Sequence, residues 1–446
     1  MHRVRSDLTL EGYITGDHGD VEKLTTYEVT GRHLHPEDAT HIPHIHRLGP
    51  REDALATFSP ATGLVTLTSV GRPEGTLESA RTIRLEGLNG QVIRNLRWTQ
   101  DGGQWVVQTD NNLYLARIPV VEAAPKAVVT PVFVESGKVM RVDDYRVHPH
   151  GVLVRVGWSR DPGLSAGLYF FDLSGNTPKR HSFTQPKGGV SYATILAGGR
   201  IVRTVPSPQK MGRTWLGAIE TYNVTPGQAP VLVDTVECSG HDCNVANWAP
   251  GADHLVLATH AGNILFENPD STDISSPFIR RQLPLSPPGL LWGHEPIHTL
   301  WASPSNARVL AASKHSLSVF DRYGTVLWSW KPDEGAIHSA HFDIREEAVL
   351  VGVNDRILRL QEGKPPEVIF VSPWNHKPST ASALKRWRRA GVRTRTFVDD
   401  VVPLRDGRVA FNWVTVKETD EHRGGSRYRP VKRKSKRKAK RSKRKN

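Results

Sequence analysis

An all-β chain closed into a ring, a β-propeller of seven or eight blades, is what three features of the sequence predict. The first is a phrase that recurs: GHDCNVANWAPGADHLVLATHAGNILFEN from Gly240, GHEPIHTLWASPSNARVLAASKHSLSVFD from Gly293 and GAIHSAHFDIREEAVLVGVNDRILRL from Gly335. Each copy opens on a glycine, reaches a large aromatic (Trp248, Trp301, Phe342) as its eighth or ninth residue, and runs through a turn into an apolar strand. A second short strand follows in each, at Ile264 to Phe266, Leu317 to Phe320 and Ile357 to Leu360. The second feature is spacing. Corresponding positions at Ile45, Ile93, Val142, Tyr192, Asn244, Ile297, Ile337 and Phe397 are 48, 49, 50, 52, 53, 40 and 60 residues apart, which marks a repeat architecture. The third is that the apolar runs are short and bounded by turn residues, as strands are.

A ring follows from the edge problem. A four-stranded blade is too small to cover both of its faces, so blades must stack face to face, and closing the circle protects the terminal faces. Trp98, Trp248, Trp301 and Phe342 are then expected between neighbouring blades.

In chain order, residues 1–44 offer a strand at Leu8 to Ile14 and another at Leu24 to Val29, candidates for completing the last blade. The histidines at His33, His35, His41, His44 and His46 are interrupted by prolines and acids without a regular period, so a loop is expected there rather than a metal site. The propeller is expected over 45–420. Ala54 to Phe58 and Leu64 to Val70 flank the turn Ser59-Pro60-Ala61-Thr62-Gly63, and Trp105 to Gln108 and Leu113 to Ile118 flank Asp110-Asn111-Asn112. Asp-Gly-Gly at 101–103 and Asp-Asn-Asn at 110–112 tolerate the positive φ that tight hairpins require. Tyr145 to Trp158 pairs with Gly167 to Leu173, Ser191 to Val205 with Trp215 to Val224, and Phe397 to Leu404 with Val409 to Val416.

The segment 372–395, SPWNHKPSTASALKRWRRAGVRTR, breaks the pattern. Ser379 or Thr380 can cap a short helix ending at Gly391, which would be a basic helical insertion. Lys385, Arg386, Arg388 and Arg389 surround Trp387 there, so the insertion is a candidate to contact phosphates while Trp387 stacks on or anchors a partner; a solvated loop with one buried tryptophan is the equal alternative.

The formal charge of +14 is concentrated at the C-terminus. Lys432, Arg433, Lys434, Lys436, Arg437, Lys438, Lys440, Arg441, Lys443, Arg444 and Lys445 are eleven cations among fourteen residues with no acid, leaving +3 for residues 1–431. A segment with nothing apolar larger than alanine cannot offset its chain entropy, so 421–446 is expected to be a disordered tail. It is the first candidate for a sequence-independent contact to RNA or DNA, and in a eukaryotic host for nuclear or nucleolar targeting.

Other chemistry is weakly signalled. No apolar run reaches eighteen residues, so no transmembrane helix and no membrane contact are expected, and the N-terminus lacks the apolar centre of a secretory signal. Residence inside the cell is the expectation. The two cysteines, Cys238 and Cys243 with His241 between them, lack a second pair at zinc-finger spacing, and neither a metal nor a cofactor is expected. Gly163-Leu164-Ser165-Ala166-Gly167 matches the nucleophile elbow, but Asp161-Pro162 precedes it and the strand LYFF follows where a helix is needed, so a hairpin turn is expected. Phosphate-binding loops of the G-x-x-x-x-G-K-[ST] and G-x-G-x-x-G types do not occur.

The dipeptides Gly240-His241 and Gly293-His294, with Phe320-Asp321 closing a strand where Trp-Asp is usual, resemble degenerate WD repeats. That resemblance covers about residues 45–416 and implies a non-enzymatic propeller that binds proteins or peptides on its rim and faces. No Trp-Asp dipeptide occurs. A second resemblance supplies the alternative: FDRYGTVLWSW from Phe320 to Trp330 is similar to the blade endings of quinoprotein-like and arylsulfotransferase-like propellers, which would imply an enzyme using His241, His294, His298, His338 and His341 at the propeller mouth. The expected protein is the scaffold, with ribosome assembly or chromatin as fitting settings.

Overall fold

A computed structural model of the 446-residue chain describes residues 3–15, 21–32, 46–48, 50, 54–59, 62–69, 81–109, 112–119, 126–133, 142–156, 167–175, 177–183, 193–207, 215–237, 245–249, 252–259, 262–267, 278–285, 288–289, 293–372, 392–405 and 407–421. They form β-strands with short turns, and their order in the sheets defines eight blades among the described residues.

Strands β1 (Arg3–Thr15) and β2 (Val21–Arg32) come first. Blade one is β3 (His46–Leu48), β4 (Ala54–Ser59), β5 (Leu64–Ser69) and β6 (Arg81–Glu86); blade two is β7 (Asn95–Trp98), β8 (Gln104–Gln108), β9 (Leu113–Arg117) and β10 (Lys126–Phe133). Blade three is β11 (Val142–His148), β12 (Gly151–Val156), β13 (Gly167–Asp172) and β14 (Lys179–Ser182). Blade four is β15 (Ala193–Ile195), β16 (Ile201–Ser207), β17 (Trp215–Asn223) and β18 (Val231–Glu237). Blade five is β19 (Val245–Trp248), β20 (Val256–Thr259), β21 (Asn263–Glu267) and β22 (Phe278–Gln282), followed by a small ladder of β23 (Pro288–Gly289) and β24 (Gly293–His294). Blade six is β25 (Thr299–Ala302), β26 (Arg308–Ala312), β27 (Leu317–Asp321) and β28 (Val326–Trp330); blade seven is β29 (Ile337–Phe342), β30 (Val349–Val353), β31 (Arg356–Leu360) and β32 (Glu367–Val371).

Blade eight joins the two ends of the described chain. Its order is β2-β1-β34-β33, with β33 (Val392–Pro403) and β34 (Val409–Glu421) followed in space by the first two strands. β1 runs antiparallel to β34 in an unbroken register from Arg3↔Glu421 to Ile14↔Ala410.

Apolar cores lie between the blades. Val106 and Leu113 of blade two meet Tyr145 and Val154 of blade three; Phe266 of blade five meets Phe320 of blade six; Phe370 of blade seven meets Phe411 of blade eight; and Leu55 of blade one meets Ile14 and Ala410 of blade eight. Because each blade is covered on both faces, its central strands are buried along their whole length, as in β13 and β30, and read as continuous apolar runs rather than alternating ones. Among outer strands β14 is mostly exposed and β28 half-buried. The four expected aromatics occupy these seams. Trp248 lies with Leu196 and Ile219 of blade four, Trp301 and Phe342 lie between blades six and seven, and Trp98 of blade two donates its indole N–H to the Arg47 carbonyl of blade one at 2.9 Å.

The turns that close the first hairpins also bond from blade to blade. His148 donates its Nε2–H to the Gly199 carbonyl at 2.6 Å, Ala197 N–H to the Ala252 carbonyl at 2.9 Å, Asp253 N–H to Asn306 Oδ1 at 3.0 Å, and Arg308 to the Glu346 carbonyl at 2.9 Å. Blades one and two are tied differently, by parallel pairing of their outer strands β10 and β6 and by a Lys126–Glu86 ion pair of 2.7 Å.

Three expectations need correction. Tyr145 to Trp158 holds most of β11 and all of β12, with a turn at Pro149-His150, and Ser191 to Val205 likewise holds β15 and most of β16; a short turn between apolar runs hid each hairpin. Gly151 allows the tight approach, since a Cβ there would stand 2.2 Å from the Phe171 carbonyl oxygen. At the insertion, residues 392–395 are already strand β33 because they pair with β34, and Ser372 is buried with its N–H on the Asp355 carbonyl at 2.9 Å. Residues 373–391, with the expected helix, lie outside the described residues.

Candidate functional site: an arginine cluster on the inner strands

The first strands of successive blades touch one another, β3 with β7, β11 with β15, β19 with β25 and β25 with β29, while fourth strands such as β14 and β28 are more open to solvent. First strands therefore line the ring's centre, and a polar side chain on one of them can meet partners from several blades.

Arg47 and Arg97 do so, and Arg146 and Arg155 lie beside them. Arg47 on β3 donates Nε–H to the Leu96 carbonyl at 3.0 Å and a terminal N–H to Asn95 Oδ1 at 2.9 Å, and stands 3.9 Å from Asp400 of β33, linking blades one, two and eight. Arg97 on β7 lies over the Tyr145 ring at 5.2 Å and 3.9 Å from Asp144 of β11. Arg146, also on β11, donates to Asp144 Oδ1 at 3.0 Å. Arg155 on β12 completes the group. Burial pulls the Arg47 and Arg146 guanidiniums below their ordinary value, with Asp400 and Asp144 respectively opposing the shift. Guanidiniums remain charged at any pH the protein meets. Burial raises the Tyr145 phenol, whose hydroxyl donates to the Val106 carbonyl at 2.9 Å.

Beside this cluster is a cavity of about 120 Å³ lined by Asp144, Arg146, Arg155, Asn247 and Trp248 together with Tyr145, Leu153, Leu168 and Ala193. It spans blades three, four and five. Asn247 is held in place from both sides: its Nδ2 donates to the His298 carbonyl at 3.1 Å and its Oδ1 accepts the Trp248 N–H at 2.9 Å. Chemically the cavity offers N–H donors and positive charge next to an aromatic wall.

Lys385, Arg386, Trp387, Arg388, Arg389 and the cations from Lys432 to Lys445 are outside the described residues, as are Cys238, His241, Cys243 and Ser165 and the side chain of His294. Three of the mouth histidines are described. His298 has Nδ1 on Thr299 Oγ1 at 2.9 Å, His338 stacks on Phe397 of blade eight at 4.1 Å, and His341 lies against Trp301 of blade six at 4.7 Å. The last two, three positions apart on β29, face opposite neighbours. Sequence reasoning missed Arg47, Arg97, Arg146 and Arg155. The available signal was an arginine inside a short strand, at IHRL, NLRW, YRVH and LVRV.

Comparison with solved structures settles the fold. The C-terminal WD40 domain of Sif2 superposes with a TM-score of 0.52 at 13% identity, covering 83% of this chain and 94% of that one. The fold is that of a WD40 β-propeller. Lower-scoring similarities include Saccharomyces cerevisiae Sqt1, with a TM-score of 0.47 at 10% identity over 82% of this chain and 94% of that one. Another is dihydro-heme d1 dehydrogenase NirN, at 0.48 and 15% over 81% and 73%. No family model and no curated protein matches the sequence. In this propeller Asp321, which closes β27, accepts the N–H groups of Tyr323 at 2.9 Å and Thr325 at 2.7 Å, so the carboxylate builds the turn after its strand.

Proposed function

We propose that the protein is a non-enzymatic interaction scaffold, whose propeller presents its surfaces to protein partners while the polybasic C-terminal segment contacts RNA or DNA without reading sequence. The WD40 fold supports the first half, because a closed ring of rigid blades holds many loops in fixed positions and needs no reaction centre to do so. The observation that carries the second is the run of eleven cations among fourteen residues at 432–445. Such a run neutralises several phosphates and releases their counterions, which produces affinity that falls steeply with salt. Lys385, Arg386, Arg388 and Arg389 around Trp387 form a second contact in this reading. In a eukaryotic host the same run directs the protein to the nucleus or nucleolus, in keeping with ribosome assembly or chromatin.

The test is binding of a non-specific RNA or DNA duplex by the full chain and by a chain lacking 432–446, measured from low to high salt. Loss of affinity and a shallower dependence on log[salt] are expected on deletion. Equal affinity and equal slope would remove the tail from the function.

A further inference from the structure

Blade four ends on an edge unlike those of its neighbours. β18 is the last strand of its sheet, so one side of its backbone pairs with no strand among the described residues. An edge of this kind accepts further strands unless something keeps them off, and charged side chains are a common means. The corresponding strand of blade three, β14, carries Lys179, Arg180 and His181, and that of blade five, β22, carries Arg280 and Arg281. β18 has no cation. It presents Val231, Leu232 and Val233 in succession, exposed by 57%, 48% and 50%, and then the exposed Asp234. Val231 and Leu232 point to opposite faces of the sheet, so apolar surface is offered on both.

Elsewhere in this molecule an outer edge already takes up a strand. Lys126, Ala127 and Val128, ahead of the part of β10 that pairs with β9, pair in parallel with Arg84, Leu85 and Glu86 at the outer edge of blade one. Three pairs suffice there. A ladder of that length fits on Asp234–Glu237, beyond the bulge that Val233 makes between the partners of Thr221 and Tyr222.

Charge points to the occupant. Residues 224–237, VTPGQAPVLVDTVE, hold two acids, Asp234 and Glu237, and no base, in a chain of net charge +14. The Asp234 carboxylate is oriented by the Thr235 N–H, which donates to its Oδ1 at 2.8 Å. The chain's own cations at 432–445 would match the acids but have no apolar side chain larger than alanine to cover the valines. A second copy would bring the same acids to the edge. An extended segment that alternates Lys or Arg with branched apolar residues meets both needs.

We propose that β18 docks an extended, basic and apolar segment of a partner protein as a fifth strand of blade four. Backbone hydrogen bonds hold the segment, Val231, Leu232 and Val233 pack against its apolar side chains, and Asp234 selects its cations. The proposal rests on the reading of the propeller as a protein-binding scaffold and assigns that binding a surface.

The test is fluorescence polarisation of a labelled short peptide alternating lysine and valine, titrated with the full chain. Wild type, Val233→Lys, Asp234→Lys, a chain lacking 432–446, and Val368→Lys on β32 of blade seven are compared. All three substituted positions are exposed, so these variants keep the fold. Affinity should fall about tenfold or more in Val233→Lys and Asp234→Lys and stay at the wild-type value in Val368→Lys. A peptide methylated on alternate backbone nitrogens should not bind, because it cannot extend the ladder. Equal binding of the methylated peptide would overturn the proposal, as would equal affinity of Val233→Lys and wild type. Tighter binding of a glutamate–valine peptide by the chain lacking 432–446 would do the same. Affinity that rises about tenfold on removal of 432–446 assigns the edge to the tail, and self-association in sedimentation that Val233→Lys abolishes assigns it to a second copy; either result overturns the partner. Nucleic-acid affinity and its salt slope, read on the same proteins, fail only with the tail. Loss of peptide binding alone removes β18 and leaves the other surfaces of the scaffold in place.

Discussion

Thr15 Oγ1 accepts the backbone N–H of Val409 at 2.9 Å, a buried bond between residues 394 positions apart. It sits in blade eight, where β1 lies along β34 and Tyr13 stacks on Phe411 with ring centroids 5.7 Å apart. Replacing Thr15 with valine keeps the shape but leaves the Val409 N–H unmet in the interior. A loss of about 1–3 kcal/mol is expected from the unmet donor, read as a lower urea midpoint with an unchanged slope. An unchanged midpoint would show that this bond does not help hold the ring closed.

Gly324 ties two blades together by having no side chain. Its φ is +81°, and a Cβ there would stand 2.7 Å from a ring carbon of Phe266 in blade five. Arg281 of that blade also donates to its carbonyl at 2.7 Å. Gly324→Ala should cost about 1–3 kcal/mol through overpacking and left-handed strain, visible as a fall in melting temperature; a thermally neutral variant would contradict the close approach.

Tyr145→Phe removes the hydroxyl that bridges blade three to the Val106 carbonyl of blade two. The ring still packs in the seam and beneath Arg97. The expected cost is about 1 kcal/mol, measured by chemical denaturation. A loss approaching that of a core truncation, about 3–5 kcal/mol, would mean that the hydroxyl organises more of the site than one bond.

His148 makes the protein acid-sensitive. Its Nδ1 accepts the His150 N–H at 3.0 Å while Nε2 donates to Gly199, so the ring is held neutral, and burial lowers its pKa from the ordinary 6.5. Below about pH 6.5 the unfolded chain takes up a proton that the folded chain resists, so this stability is present above that pH and is lost as pH falls toward the lowered folded value. His298 is shifted the same way by burial. Urea midpoints should decline from pH 7 to pH 5, and His148→Gln should decline less steeply. Equal slopes for the two proteins would refute the assignment to His148.

The blades were legible because their physics is local. Continuous apolar strands such as VLVGV at 349–353, flanked by turns, are what a doubly covered sheet requires, and the eight marks at a mean spacing near 50 anticipate the eight blades. The tight hairpins at 148–151 and 195–201 were less legible, since two short strands joined by a brief turn read as one. Each arginine was visible within its own strand, but their convergence was not legible. Arg47, Arg97 and Arg146 are about 50 residues apart, and nothing in the local pattern says that three separate first strands share an axis.

By itself, then, the amino-acid order determined an all-β repeat with aromatic seams and a charge gathered at one end, because periodicity and composition act through neighbours in sequence. Tertiary structure decided that β34 pairs with β1, that His148 bonds the next blade's turn, and that Asp144 meets arginines from two blades. Those relationships depend on ring closure, which brings residues dozens to hundreds of positions apart within hydrogen-bonding distance, a range at which sequence patterns carry no register.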